Sequence, residues 1–173
     1  MSLILNHDTY DAVINGIVPS ARRFLWLFTA DLKDLFVAGE GGRFVPFLEV
    51  LARKLAEGVE IRLVHAKEPG PRFREDFDRF PEFIESDSFE RILCPRMHMK
   101  AVIADGRIAY VGSANLTGAG MGAKSEDRRN FEAGFVTEDR ESIKQLMNFM
   151  DQFFVGDFCE KCQRRDVCPE PIR

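Results

Sequence analysis

An Asp-Gly dipeptide at 105–106 separates two short apolar runs, 101–104 and 108–111, inside the stretch HMKAVIADGRIAYVGSANLT. Aspartate and glycine both accept positive φ, so this is a strong two-residue hairpin signal. If the dipeptide forms the turn, Ala104 pairs with Arg107. The same register sets His98 opposite Ser113, Lys100 opposite Val111 and Arg96 opposite Asn115. Paired residues share a face of a sheet, which predicts that His98, Lys100, Ser113 and Asn115 project together. His98 and Lys100 would stand about 7 Å apart along their strand. Packing explains the apolar residues of this hairpin but not those four polar ones.

The rest of the chain alternates between strand and helix patterns. Residues 7–18 have helical spacing, with Asp8 as the expected N-cap. The run RFLWLF (23–28) is too continuously apolar for a half-exposed strand and predicts a buried central one. VPFLEVLARKLAEG carries Phe47, Leu48, Leu51 and Leu55 at helical spacing and ends on Gly58, and VEIRLVH (59–65) follows as a strand. Residues 67–88, rich in proline, phenylalanine and charge, read as a loop or irregular insertion whose phenylalanines pack locally. The hairpin is expected over roughly 92–115. After it, NFEAGFV reads as a strand, and DRESIKQLMNFMDQFF as an amphipathic helix with Ile143, Leu146, Met147, Met150, Phe153 and Phe154 on one side. This order indicates an α/β sandwich.

The polar set of the hairpin suits a tetrahedral anion. Lysine supplies positive charge, the serine hydroxyl and asparagine amide supply neutral donors, and the imidazole can attack or exchange a proton. Gly112 allows close backbone approach beside Ser113. A core histidine or a snorkelling lysine would explain either residue alone; four on one face argue for a site.

The net charge of −4 over 173 residues lacks the broad basic footprint of many nucleic-acid binders, although AKSEDRRN and CQRRDVC carry local basic clusters. Either cluster alone reads as a solvated loop face. No run reaches the length of a membrane span, and the N-terminal MSLILNHDTYD has no signal-like pattern, so a cytoplasmic location is expected.

The spacing His98-x-Lys100-x4-Asp105-x6-Gly112-Ser113-x-Asn115 matches, without a gap, the HKD signature of the phospholipase D superfamily, and the chain resembles that family. Asn130 and Glu132 resemble its downstream acidic segment. The resemblance implies a phospholipase D-like α-β-α sandwich around a mixed sheet. Residues 1–155 would form the catalytic domain, and 156–173 a cysteine-rich tail packed on it. It further implies phosphodiester cleavage through a covalent phosphohistidine. Because one imidazole cannot attack in line and protonate the leaving oxygen from the opposite side, a second histidine is needed. The chain has one such motif, and His7 and His65 read as surface or strand-end residues. The short single-motif bacterial endonucleases of this superfamily solve the shortage as two-fold homodimers, which implies the same here.

On this reading His98 is the nucleophile in one subunit and the acid in the other, while Lys100, Ser113 and Asn115 hold phosphate oxygens. Glu132 would accept a hydrogen bond from His98, by the logic of a triad carboxylate. Asp105 is a structural support, since its turn position alone explains an aspartate. Lys124, Arg128 and Arg129 are candidate contacts to a nucleic-acid backbone, with plain surface charge as the alternative. No divalent metal is expected in catalysis. A nuclease acting on DNA or RNA is the leading function. Two alternatives stand beside it: a phospholipid phosphodiesterase of cardiolipin type, disfavoured because no basic amphipathic membrane helix is present and no stable membrane association is expected, and a non-catalytic nucleic-acid-binding module.

Cys94 and the closing C-x2-C-x5-C of Cys159, Cys162 and Cys168 suggest metal ligation rather than a disulfide framework. Four thiolates suit a structural [4Fe–4S] cluster or tetrahedral zinc, and unpaired thiols are the plain alternative. The spacing is similar to the iron–sulfur staple of RecB-like nucleases, which have a different fold. Because Cys94 lies four residues before His98, expected on the same strand path, a cluster there would clamp the tail beside the hairpin.

Overall fold

A computed structural model describes residues 1–33 and 35–172. Arg173, the last residue of the tail assigned to 156–173, and Asp34 lie outside the described residues. Among the described residues, nine strands lie in chain order: β1 (Ser2–Leu5), β2 (Phe24–Thr29), β3 (Phe36–Ala38), β4 (Phe44–Pro46), β5 (Glu60–His65), β6 (Phe89–Leu93), β7 (Lys100–Ala104), β8 (Ile108–Gly112) and β9 (Ala133–Thr137). The helices are α1 (Asp8–Tyr10), α2 (Val18–Ser20), α3 (Phe47–Ala56), α4 (Pro71–Phe77), α5 (Glu82–Glu85) and α6 (Arg140–Phe154). A π-type stretch, Asp11–Ile17, joins α1 to α2 without a break. Asp8 is the first helical residue and not its cap; His7 occupies the cap position and makes no side-chain capping bond.

Seven strands form one mixed sheet in the order β1-β9-β8-β7-β2-β5-β6, while β3 and β4 pair separately. β2, β5 and β6 are parallel, and the other pairings of the large sheet are antiparallel. The apolar run of β2 is continuous because each of its faces has its own core. Leu25 and Leu27 pack with the N-terminal helices and α3, whereas Trp26 and Phe28 pack under α6. Ile143 and Met150 of α6 are fully buried there, each contributing about 1.5–3 kcal/mol. The result is the α-β-α sandwich expected from the sequence.

Three local expectations change. Residues 67–88 include two short helices, α4 and α5, around a cluster in which the Phe77 and Phe83 rings stack at 4.8 Å. The stretch before residue 98 is not part of the hairpin: β6 runs parallel beside β5, and the chain turns at Pro95–Arg96 before β7. Cys94 and His98 are therefore not on one strand path.

The third change is the register. Asp105 and Gly106 do form a tight turn, with φ of 55° and 64° and Arg107 N–H donating to the Ala104 carbonyl at 3.0 Å. Arg107, however, is left unpaired as a bulge, and Ala104 pairs with Ile108. The slip of one residue puts Lys100 opposite Gly112 instead of Val111. Side chains alternate along a strand, so a shared-face argument no longer joins Ser113 to Lys100.

Candidate active site

The C-terminal ends of β2, β5, β6 and β8 lie with the N-terminal ends of β7 and β9 along one edge of the sheet. Sequence direction and strand polarity bring the motif residues to that edge. His98 is exposed just before β7, and Lys100 is the first residue of β7. Ser113 and Asn115 lie beyond the end of β8, and Glu132 precedes β9.

Lys100 is 8% exposed, and its Nζ donates to the His98 carbonyl at 2.8 Å while lying 3.4 Å from Nδ1 of the His98 ring. No carboxylate pairs with it among the described residues. The other buried lysine, Lys54, shows the usual solution: its ammonium meets Glu57 at 2.8 Å and two backbone carbonyls. A buried charge without a counter-charge is costly, and it marks a place where an anion would be favoured.

Asn115 acts as a clamp. Its Oδ1 accepts from the backbone N–H groups of Ala30 and Asp31 at 3.1 and 3.0 Å, and Thr29 Oγ1 lies at 3.2 Å. Those donors fix the orientation of the amide and leave its Nδ2 group as the remaining donor. Ser113 is engaged differently: its hydroxyl donates to Glu132 and its oxygen accepts from Ala133 N–H at 3.1 Å. The second Glu132 oxygen accepts from Asn130 Nδ2 at 3.0 Å. Glu132 thus meets Ser113 and Asn130, in place of the expected bond from His98. The structure joins the motif in two groups, Lys100 with His98 and Ser113 with Glu132, and Asn115 braces the end of β2.

Gly112 has a different reason from close substrate approach. A Cβ there would stand 2.3 Å from Tyr110 Oη and 2.7 Å from the Ala133 carbonyl, so the tyrosine ring and the next strand require glycine. Asp105 lies far from this edge, at the opposite end of β7. Its carboxylate accepts from the backbone N–H groups of Arg22, Arg23 and Phe24 at 2.8–3.2 Å. Burial opposes its charge, but the donors of Phe24, Arg23 and Arg22 outweigh it and hold the pKa below the ordinary aspartate value.

An open groove of about 980 Å³ runs past His98. Lys67, Arg96, Lys161 and Arg164 line it, against one carboxylate, Asp31. Asp31 is itself paired with Lys33 at 2.9 Å and Lys67 at 3.7 Å. None of the four cations stood out in the sequence. Arg164 belongs to the CQRRDVC cluster read as a solvated face, and no spacing signals that a tail folds back over a distant loop. Lys124, Arg128 and Arg129 line neither this groove nor the cavity beside it. They form an exposed turn in which Arg129 Nε donates to the Lys124 carbonyl at 2.5 Å.

Among the described residues, neither remaining histidine bonds to a motif residue, although His7 follows Asn6, whose Oδ1 accepts from Glu132 N–H at 3.0 Å. His65 is fully buried: Arg91 Nε donates to its Nε2 at 2.8 Å, and its Nδ1 meets the Lys67 carbonyl at the same distance. Burial, then the Arg91 charge, pulls its pKa down to about 4. His7 is exposed and follows β1, which is separated from β7 by β9 and β8.

A mixed sheet sandwiched between helices, with a His-x-Lys pair and a Gly-Ser-x-Asn loop at one strand edge, defines a phospholipase D-like domain. Residues 20–154 match the family described as "Cardiolipin synthase, PLD-like domain", and the chain belongs to the phospholipase D superfamily. No curated protein matches it. Among solved structures it is similar to NucT from Helicobacter pylori, at 15% identity and a TM-score of 0.60, over 88% of this chain and 94% of that one. Nuc from Salmonella typhimurium, a phospholipase D family member, aligns with 16% identity and a TM-score of 0.56 over the same shares. The archaeal chromatin protein TrmBL2, described with a novel mode of DNA binding, aligns at 12% identity and a TM-score of 0.58, over 88% of this chain and 51% of that one. Among the described residues, no helix is long and apolar enough to cross a membrane.

Proposed function

We propose that the chain is a metal-independent nuclease of the phospholipase D superfamily, cleaving a phosphodiester through a phosphohistidine on His98. The observation that carries this is Lys100, a buried ammonium without a carboxylate partner, held against the proposed nucleophile. A phosphate beside it would supply the missing counter-charge. The Asn115 amide would hold a second nonbridging oxygen, and Ser113 would turn from Glu132 to the phosphate when substrate arrives. The groove favours a polyanion over a single headgroup, because four cations line it beside His98.

The reaction balances with two histidines. A neutral His98 nitrogen attacks phosphorus, the P–O bond breaks, and a second, protonated imidazole gives its proton to the leaving alkoxide. That imidazole then removes a proton from water, the hydroxide attacks phosphorus, and the P–N bond breaks to restore His98. His65 is a poor candidate for the second imidazole because both ring nitrogens are engaged. His7 follows β1, three strand spacings or roughly 14 Å from β7.

A second copy of His98 across a two-fold axis meets the need, and an uncovered apolar face supports it. The side of the sheet that α6 covers over β2 and β7 continues bare over β8, β9 and β1, where Val111, Phe135 and Leu3 lie in one cross-strand row. Leu5 extends that patch, and Phe131, 96% exposed, stands next to Glu132. This arrangement suits an isologous dimer interface next to the site.

The test is cleavage of labelled single- and double-stranded DNA, RNA and cardiolipin in excess EDTA, with His98→Ala alongside. Nucleic-acid cleavage that survives EDTA and disappears in the variant is the expected result. Cleavage of cardiolipin alone would transfer the chain to the phospholipid chemistry, and nucleic-acid binding with no His98-dependent cleavage would leave a binding module.

A further inference from the structure

Cys94 follows β6, whereas Cys159, Cys162 and Cys168 lie in the turns after α6, yet all four line one cavity of about 360 Å³. No two of them are bonded to each other. Among the described residues, no three histidine, cysteine or acidic side chains are gathered closely enough to share one metal ion. Tetrahedral zinc, with Zn–S near 2.3 Å, would draw its thiolates to within about 3.8 Å of one another. Four thiols lining one cavity suit a polynuclear cage, in which each thiolate binds its own iron.

The surroundings have the matching chemistry. Met97, Phe149, Phe153 and Phe158 make an apolar wall that limits water. Arg96 and Arg165, against one carboxylate, Glu170, supply positive charge that suits an oxidised [4Fe–4S] cage with four thiolates, of net charge about −2. The tail is already anchored to this place: Glu170 accepts from Leu93 N–H at 3.0 Å, and Arg164 donates to the Pro95 carbonyl at 3.3 Å.

We infer that this cavity holds a [4Fe–4S] cluster ligated by Cys94, Cys159, Cys162 and Cys168. Its role is positioning. Pro95, Arg96, Met97 and His98 line both this cavity and the cationic groove, so the cluster fixes the segment that carries His98. It also holds Lys161 and Arg164 on the groove wall. The inference rests on the cysteine geometry and is independent of the nuclease reading.

The test is metal and sulfide analysis of the full chain, purified without oxygen and reconstituted with ferrous iron and sulfide. About four iron and four acid-labile sulfide per chain, with a visible charge-transfer band and a paramagnetic signal on reduction, are expected. Stoichiometric zinc without sulfide, or no retained iron and sulfide, would overturn it. Cys162→Ser should lose the cluster; a folded variant that keeps the full iron and sulfide content would overturn the ligand assignment. Limited proteolysis should cut the tail faster in chelator-stripped protein than in loaded protein. Equal rates would overturn the positioning role.

Discussion

The Lys100 ammonium lies 2.8 Å from the carbonyl oxygen of His98 and 3.4 Å from its ring Nδ1, so cation and imidazole form one unit at the edge of the sheet. A buried lysine held beside an imidazole, with no carboxylate partner among the described residues, is suited to an anion that arrives from outside. Function and stability should therefore pull in opposite directions at this residue.

Lys100→Met tests that opposition. Loss of one preorganised cation should lower the cleavage rate about 10²–10³-fold. The melting temperature should hold or rise, because an unpaired buried charge is replaced by an apolar side chain of similar length. Single-turnover cleavage and thermal denaturation measure the two effects. A marked fall in stability would show that the lysine is a structural element.

Asp105→Asn keeps a side chain tolerant of positive φ but removes the charge that gathers the N–H groups of Arg22, Arg23 and Phe24. A stability loss of about 1–3 kcal/mol is expected, with kcat of the folded fraction unchanged. Urea denaturation beside cleavage kinetics decides it; a fall in kcat at full folding would give Asp105 a role in the chemistry.

His65 should make the fold acid-sensitive. Burial and the Arg91 guanidinium hold the ring neutral, with a folded pKa of about 4. The unfolded ring titrates near 6.5, so as pH falls the unfolded chain takes up the proton first. The stabilisation is full above about pH 6.5 and is lost progressively toward pH 4, amounting to about 3 kcal/mol. Denaturation midpoints across that window should shift less in His65→Gln than in wild type; equal shifts would assign the acid sensitivity to other groups.

Phe135→Glu places a charge in the centre of the bare row formed with Leu3 and Val111. Sedimentation should report a dimer for wild type and a folded monomer for the variant, with cleavage lost because the second His98 is gone. A monomeric variant with full activity would show that one chain supplies both imidazoles.

The α-β-α order, the central place of 23–28 and the amphipathic α6 were legible because they depend on periodicity, which is local. The motif was legible for a related reason: its spacing fixes which residues sit near β7 and β8. The register was not, because the Arg107 bulge depends on how two strands fit together, and one extra residue moves Lys100 from Val111 to Gly112. Local spacing was equally silent about the partner of Glu132. It meets Ser113 through a strand pairing distant in sequence, so it cannot be aimed by motif geometry alone.

The four cysteines mark the same boundary most clearly. Their residue types and tail spacing pointed to a ligand set, but whether Cys94 could reach the other three depended on the turn after β6 and the return of the tail past α6. So did the cationic wall beside His98, built from Lys67, Arg96, Lys161 and Arg164 of three separate segments. Sequence by itself determined the family and the main strand–helix order, and it nominated the candidate reactive residues, since these follow from local pattern and residue chemistry. The tertiary structure alone decided which side chains face which partner, because register, chain return and charge clustering arise from packing between segments far apart in the chain.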